Sequence, residues 1–245
     1  MQTQIELANR LSMQRGLNML CTHACLRLPL SETLRHYFSS ASFLLAIDFH
    51  KQVSNNLDSG SHAVAAALLR PIWECGITAA WFLYRADEDR LSRINANPLD
   101  LEHLAIDDAD VPMTKPMLKE LKELPYLEEY ARNQQALIAP GGFGKFFHKY
   151  THPTVFQLKR TFVTSDRPTR FSDSEMMGIV VLADILLLSC AAVFQAQTGD
   201  PDFNLIIKDR YDDVLARLPN TDGTLPPWSP LPKPQGDPDW HRSSA

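Results

Sequence analysis

The chain has 245 residues, of which 44% are hydrophobic and 22% are charged, and its formal net charge is −5. This length allows one large domain, and the composition excludes wholesale disorder, collagen-like repeats and a small disulfide-stapled fold. Ten glycines stand against seventeen prolines. Because α/β folds need many glycines in their tight turns, this scarcity favours helices.

The charge is unevenly distributed. Residues 87–129 carry twelve acidic and five basic side chains, whereas the segment from Lys145 to Arg170 carries six basic and one acidic. The basic segment favours a polyanion such as a nucleotide or RNA. However, the chain is far less basic than a dedicated nucleic-acid-binding domain.

The cysteines and the N-terminus predict a cytoplasmic protein with reduced thiols. The opening sequence MQTQIELANR lacks the basic and apolar regions of a secretory signal, and the four cysteines lie within apolar helical patterns. The longest apolar stretch, 178–197, contains Asp184 and Ser189. It is therefore interpreted as a core helix rather than a membrane span, and no membrane partner is expected.

Apolar residues at spacings of three and four predict a first helix over 5–27, closed by Pro29. Ser31 is expected to cap a second helix, which ends in the turn-rich segment 55–61. Residues 62–86 contain just three charged side chains, Arg70, Glu74 and Arg85. This predicts one central helix that is apolar on all sides.

Shorter helices are predicted at 87–97, 117–124 and 126–137, because prolines interrupt the acidic region. A further helix over 146–162 must kink or restart at Pro153. Ser172 or Ser174 then caps a very apolar helix that reaches Phe194, and an amphipathic helix over 203–218 follows.

Seven prolines fall in the twenty residues from 219 to 238. The predicted architecture is therefore all-α, an up-and-down helical bundle formed by a single domain at 1–218. A proline-rich tail at 219–245, extended or disordered, is expected to follow it.

Arg70 and Glu74 lie one turn apart on the predicted central helix. Burying either charge without a partner would cost several kcal/mol, so each is expected to pair with the other. Pro71 lacks the amide that would bond the carbonyl of Ala67, which leaves an acceptor close to Arg70. Two interpretations stay open: a buried ion pair that fixes helix register, and a ligand-binding or catalytic site.

His148 and His152 have the H-x-x-x-H spacing that places two imidazoles on one helix face, where they could share a divalent metal. Further ligands considered are Glu74, Asp48, His50 and His62. A helix that restarts at Pro153 would separate the two rings, and each histidine would then cap or pack at a helix junction.

Two segments, LLRPIWECGITAAWFLYRADEDRLSRI at 68–94 and FFHKYTHPTVFQLKR at 146–160, resemble an uncharacterised bacterial all-helical family. That family is itself similar to the HEPN superfamily of toxin and phage-defence systems. The resemblance covers 61–194 and rests on R-P-x-x-E and T-H-x-x-x-x-Q-x-x-R motifs. It singles out Arg70, Pro71, Glu74, Thr151, His152, Gln157 and Arg160.

Active HEPN ribonucleases carry R-x4-6-H on one helix, and this chain has no such pair; the nearest, Arg15 to His23, is eight apart. The resemblance leaves room for a composite site in which Arg70 and Glu74 meet His152 across helices. His152 would then act as acid or base and Arg70 as an anion clamp.

The leading expectation is a helical module of unknown molecular function that acts in binding or as an accessory protein, with a buried Arg/Glu/His polar centre and no cofactor. Two enzymatic alternatives remain, and whether the protein is an enzyme stays open. One acts on a nucleotide or RNA phosphodiester through Arg70, Glu74, His152 and Arg160. The other is a metal-dependent hydrolase using His148 and His152. The partners considered are a second copy in a homodimer and a nucleotide or RNA.

Overall fold

The computed structural model describes residues 2–27, 33–96, 111–138, 171–216, 228 and 230–234. All regular secondary structure in these residues is helical, which confirms the all-α prediction. The helices are α1 (Gln2–Leu26), α2 (Leu34–Asp58), α3 (His62–Ala67), α4 (Leu69–Tyr84), α5 (Glu88–Ala96), α6 (Thr114–Lys122), α7 (Glu128–Ile138), α8 (Asp173–Thr198) and α9 (Pro201–Ala216).

Helices α2, α4 and α8 form the centre of the bundle, and each packs against the other two. Helix α1 covers α2 and α8, α6 lies on α4, and α9 lies on α8. Side-chain contacts show that α2 runs antiparallel to both α1 and α8. In α2 and α8, for example, Ser40 contacts Gln197 at one end and His50 contacts Asp184 further along.

Local capping sets several helix ends. Ser172 caps α8 through a capping box, in which its hydroxyl accepts from the Glu175 amide and the Glu175 carboxylate accepts from the Ser172 amide. Gly199 ends α8 in the left-handed conformation, at φ 66°. Helix α2 is capped by Thr33, two residues beyond the predicted Ser31.

The prediction of a single central helix over 62–86 is wrong, because the helix is interrupted at Leu68, between α3 and α4. Proline has no amide hydrogen, so Pro71 cannot bond the carbonyl of Ala67. The ring is tolerated in the first turn of a helix, where amides lack intrahelical partners. The helix therefore restarts at Leu69, with Pro71 in its first turn.

Helices α4 and α8 approach closely at Gly76. A Cβ at this position would lie 2.8 Å from the Cys190 Sγ, so a larger residue would require the Cys190 side chain or the helices to shift. The thiol of Cys190 also lies 3.4 Å from the Ile72 carbonyl and donates to it. Glycine is thus favoured here by packing rather than by backbone conformation.

Arg35 of α2 caps the C-terminal end of α4. Its Nη1 donates to the carbonyls of Phe82 and Leu83 at 3.2 and 3.3 Å, and its Nη2 lies 3.3 Å from Glu88 Oε1. The last carbonyls of a helix have no amide partner within it, so a guanidinium placed there satisfies acceptors and complements the helix dipole.

Two helical stretches, His62–Tyr84 and Asp173–Thr198, are long and apolar enough to cross a membrane by length and composition. Of the most apolar 18 residues in each stretch, 56% are buried inside the bundle in the first and 83% in the second. This burial favours the interpretation of α8 as a core helix. The cytoplasmic location stays a prediction.

The last described residues, Trp228 and 230–234, form neither helix nor strand. We call them the C-terminal strap. Trp228 and Leu231 are partly buried and pack against the hydrophobic core. The extended or disordered tail at 219–245 stays a prediction, while these two apolar side chains gain burial by lying on the bundle.

Candidate functional site

The most deeply buried titratable pair joins α2 to α8. His50 Nε2 and Asp184 Oδ1 lie 2.9 Å apart, and the two side chains are 0% and 4% exposed. A charge or imidazole at such depth is costly unless it is hydrogen-bonded. Each member of this pair therefore depends on the other.

Helix α1 extends the pair into a buried polar network, made up of Arg10, Gln14, Asn18, His50, Ser54 and Asp184. The three α1 members are four residues apart, so they share one face of the helix and are all buried. Asn18 Nδ2 donates to the Ile47 carbonyl at 2.7 Å and lies 3.5 Å from His50 Nδ1. The hydroxyl of Ser54 donates to Gln14 Oε1 at 2.6 Å.

Burial dominates the electrostatics of this network. Desolvation raises the pKa of Asp184 above its ordinary value, while the hydrogen bond with His50 and the electrostatic interactions with His50 and Arg10 oppose that rise. With both partners sealed from water, the network has no open face for a substrate. Its arrangement suits fixing the register of α1, α2 and α8.

Arg70 and Glu74 do form the predicted ion pair, with Nε and Oε1 2.8 Å apart. The predicted burial is wrong, since the two side chains are 43% and 34% exposed. Although α4 is apolar, it leaves a partly exposed stripe at Arg70, Glu74 and Thr78, each one turn after the last. The scarcity of charge in the segment indicated a fully buried helix, but one stripe of it faces outward.

The other proposed site residues, His148, His152 and Arg160, lie outside the described residues, as do Thr151 and Gln157. The composite site that joins His152 to Arg70 and Glu74 therefore stays a prediction. Within the described ranges no group of three or more His, Cys, Asp or Glu side chains is placed to hold a metal. Of the further ligands considered, His50 is engaged with Asp184 inside the core.

The cysteines are free, and burial disfavours their reactive form. It raises the pKa of Cys25 and Cys75 to about 12, and it also raises the pKa of Cys21 and Cys190. Because the thiolate is the nucleophile and the metal ligand, burial disfavours both roles for these thiols.

Sequence reasoning missed the buried polar network, although two signals pointed to it. Asp184 interrupts the most apolar helix, a position where a carboxylate needs a partner. Arg10, Gln14 and Asn18 recur every fourth residue, so they lie together on one helix face. What the sequence does not reveal is that His50, 134 positions before Asp184, is the partner.

The C-terminal strap contacts Tyr84 and Tyr211, and we call these two side chains, with Tyr126 beside Tyr84, the aromatic surface. The Tyr84 hydroxyl donates to the Pro232 carbonyl at 2.6 Å. The rings of Trp228 and Tyr211 have centroids 5.5 Å apart and are tilted by 55°. Tyr126 stands beside Tyr84, with ring centroids 6.2 Å apart. A non-helical segment is thus held by rings and by a hydrogen bond to its backbone.

Comparison with known proteins yields one family match. The model of a family of unknown function, DUF6988, matches residues 43–217, which include α2 to α9 almost entirely. Searches of curated proteins and of solved structures return no significant match.

Proposed function

This chain belongs to the DUF6988 family, whose function is unknown, and we propose that it is a binding or accessory module that holds extended polypeptide on its aromatic surface. The observation that carries this proposal is the docked C-terminal strap. Tyr84 bonds the backbone of Pro232, and Tyr211 packs on Trp228. A helical surface that holds one extended segment in this way has the chemistry needed to hold another.

The buried polar network supports the same proposal from the inside. His50 and Asp184 are sealed, so their contribution is to order the helices rather than to meet a ligand. A helical frame of fixed register presents its surface side chains in fixed positions, which lowers the entropic cost of binding.

The docking of the strap is testable by oxidative footprinting of the full chain. We expect Trp228 to be oxidised several-fold more slowly in the folded protein than in urea, because its ring is partly buried against Tyr211. Tyr211→Ala should raise the oxidation rate of Trp228, whereas Tyr37→Ala, at an exposed position on α2, should leave it unchanged. Equal rates for Trp228 in the folded and unfolded chains would remove the basis of the proposal.

A second candidate is the enzyme acting on a nucleotide or RNA phosphodiester, related to the HEPN superfamily. One observation favours it: Arg70 uses its Nε for Glu74, and its two Nη atoms have no partner among the described residues. A half-exposed guanidinium suits a phosphate oxygen. His152 and Arg160 would complete this site.

Cleavage of a fluorescent RNA in the presence of chelator tests this candidate. We expect Arg70→Gln and His152→Gln to reduce cleavage by at least tenfold, while Arg132→Gln, an exposed ion-pair residue on α7, should not affect it. Absence of cleavage by the unsubstituted chain, or cleavage that survives both substitutions, contradicts the enzyme.

A further inference from the structure

We propose that the aromatic surface under the C-terminal strap is a recognition site for proline-rich segments of other polypeptides, and that the strap is its intramolecular competitor. This inference rests on the proposed binding function and specifies the class of ligand and its regulation. Three features of the strap and its contacts support it.

Three of the partly buried residues of the strap are spaced three apart. Trp228, Leu231 and Pro234, spaced three apart, are partly buried, as is Pro232, whereas Pro230 and Lys233 are exposed. A polyproline II helix has three residues per turn, so residues i, i+3 and i+6 share one face. The sequence LPPWSPLPKP at 225–234 contains five prolines, which favour this conformation.

The chemistry of the contact also suits proline-rich chains. Proline donates no backbone hydrogen bond but keeps a carbonyl acceptor, and the Tyr84 hydroxyl donates to the carbonyl of Pro232. Tyr211 packs on the Trp228 ring, and Tyr126 stands beside Tyr84. Aromatic side chains with hydroxyl donors are the surfaces that recognise polyproline II segments, whose preformed shape lowers the ordering cost.

The position of the strap explains how the site is regulated. The strap belongs to the same chain, so it competes as an intramolecular ligand, and the effective concentration of such a ligand can reach the millimolar range. A proline-rich segment of a partner must therefore displace it, and binding to the intact chain is weaker than binding to a chain whose strap is released. Displacement would free the strap at the same time as the partner docks.

The test uses full-length chains and a fluorescent peptide of residues 225–236. In the variant carrying Trp228→Ala and Leu231→Ala, the strap loses the two apolar side chains that pack on the core. We expect this variant to bind the peptide at least tenfold more tightly than the unsubstituted chain does. Adding Tyr84→Phe to the variant removes the donor to the Pro232 carbonyl. This change should weaken the binding of the peptide several-fold.

A permuted peptide in which Leu231 and Lys233 are exchanged is the matched control, because it keeps the composition and every proline but places lysine on the buried face. We expect it to bind at least tenfold more weakly. Equal binding of the two peptides would overturn the specific recognition of proline-rich segments. It would still be consistent with a general binding surface. If neither peptide binds a variant that keeps its helical circular dichroism, the binding surface itself is wrong.

A second measurement does not depend on that variant. In the unsubstituted chain labelled with fluorotryptophan, the Trp228 fluorine signal is assigned by its loss in Trp228→Phe. Saturating unlabelled peptide should move this signal to the position it has in urea-unfolded chain, because the strap is displaced. A Trp228 signal unchanged at saturation would contradict competition.

Discussion

At the scale of single residues, the molecule places its charges in two contrasting environments. His50 and Asp184 are sealed between α2 and α8, whereas Arg70 and Glu74 share a solvent-facing stripe of α4. Coulomb attraction and the penalty for losing water both grow as the surroundings become less polar. Removing one partner should therefore have very different consequences in the two pairs.

Asp184→Ala should lower the free energy of unfolding by about 3 to 5 kcal/mol, because it leaves the buried His50 without its hydrogen-bond partner. Asp184→Asn keeps the volume and an acceptor oxygen, so it should cost markedly less. Urea unfolding followed by circular dichroism measures both. A loss below about 1 kcal/mol for the alanine variant would show that the pair does not stabilise the fold.

The pH dependence of stability should report the raised pKa of Asp184. A carboxyl group whose pKa is higher in the folded than in the unfolded state contributes most below the unfolded value, and that contribution is lost as pH rises through the folded pKa. The stability of the natural chain relative to Asp184→Asn should thus be greatest at acid pH and decline as pH rises. Melting temperatures of both proteins from pH 4 to 8 test this, and an increasing difference would contradict it.

Glu74→Ala should cost only about 0.3 to 0.5 kcal/mol, the usual contribution of an i,i+4 ion pair in contact with solvent. Glu128→Ala breaks the similar exposed pair with Arg132 and serves as the matched control. Urea unfolding in low and high salt should show the small effect vanishing in high salt. A loss of several kcal/mol at Glu74 would mean that the pair is covered in solution.

The sequence predicted the residue pairs that are local and missed those that are distant. Arg70 and Glu74 are four positions apart on a helix, so their contact follows from helical geometry alone. The partner of Asp184 depends on how α2 packs against α8, which no local pattern encodes. The exposure of Arg70 and Glu74 likewise depends on which stripe of α4 its neighbours leave open.

At the scale of elements, apolar periodicity and capping chemistry predicted most of the described helices. The Ser172 cap, the short α5 and the breaks around the acidic region follow from rules that act within a few residues. The prediction of a continuous central helix was wrong because it gave more weight to the low charge of 62–86 than to the effect of Pro71. The proline had already indicated where a backbone bond would be missing.

Arg35→Ala should lower the free energy of unfolding by about 1 to 2 kcal/mol, because it leaves two carbonyls at the end of α4 without their donor. Arg132→Ala, which removes an exposed guanidinium, should cost less than about 0.5 kcal/mol. Hydrogen exchange should also speed up in the last turn of α4 in the Arg35 variant. Unchanged stability and exchange would show that the cap is dispensable.

At the scale of the whole molecule, the bundle and its C-terminal strap are linked. Composition predicted the all-α class, because few glycines and many apolar helical patterns leave little alternative. It could not predict that Trp228 returns to the bundle. A proline-rich segment has low hydrophobicity on average, and its docking depends on two apolar side chains meeting a particular aromatic surface.

Truncation after residue 218 should lower the free energy of unfolding by about 1 to 3 kcal/mol, the scale expected for losing two partly buried side chains and one hydrogen bond. A tail detached from the core would instead leave the free energy of unfolding nearly unchanged. A chain ending at Pro234 keeps the strap, so its free energy of unfolding should equal that of the full chain. Equal stability of the two truncated chains would show that the strap contributes nothing.

The close approach of α4 and α8 at Gly76 makes the alkylation of Cys190 a measure of how often these two helices separate. The Cys190 sulfur fills the space that a side chain at Gly76 would need, and its pKa is raised by burial. An alkylating reagent can reach it only after the two helices separate, when the thiol regains an ordinary pKa of about 8.5. The rate at which Cys190 is alkylated therefore reports the separation of α4 and α8 at the centre of the bundle, and no engineered cysteine is needed.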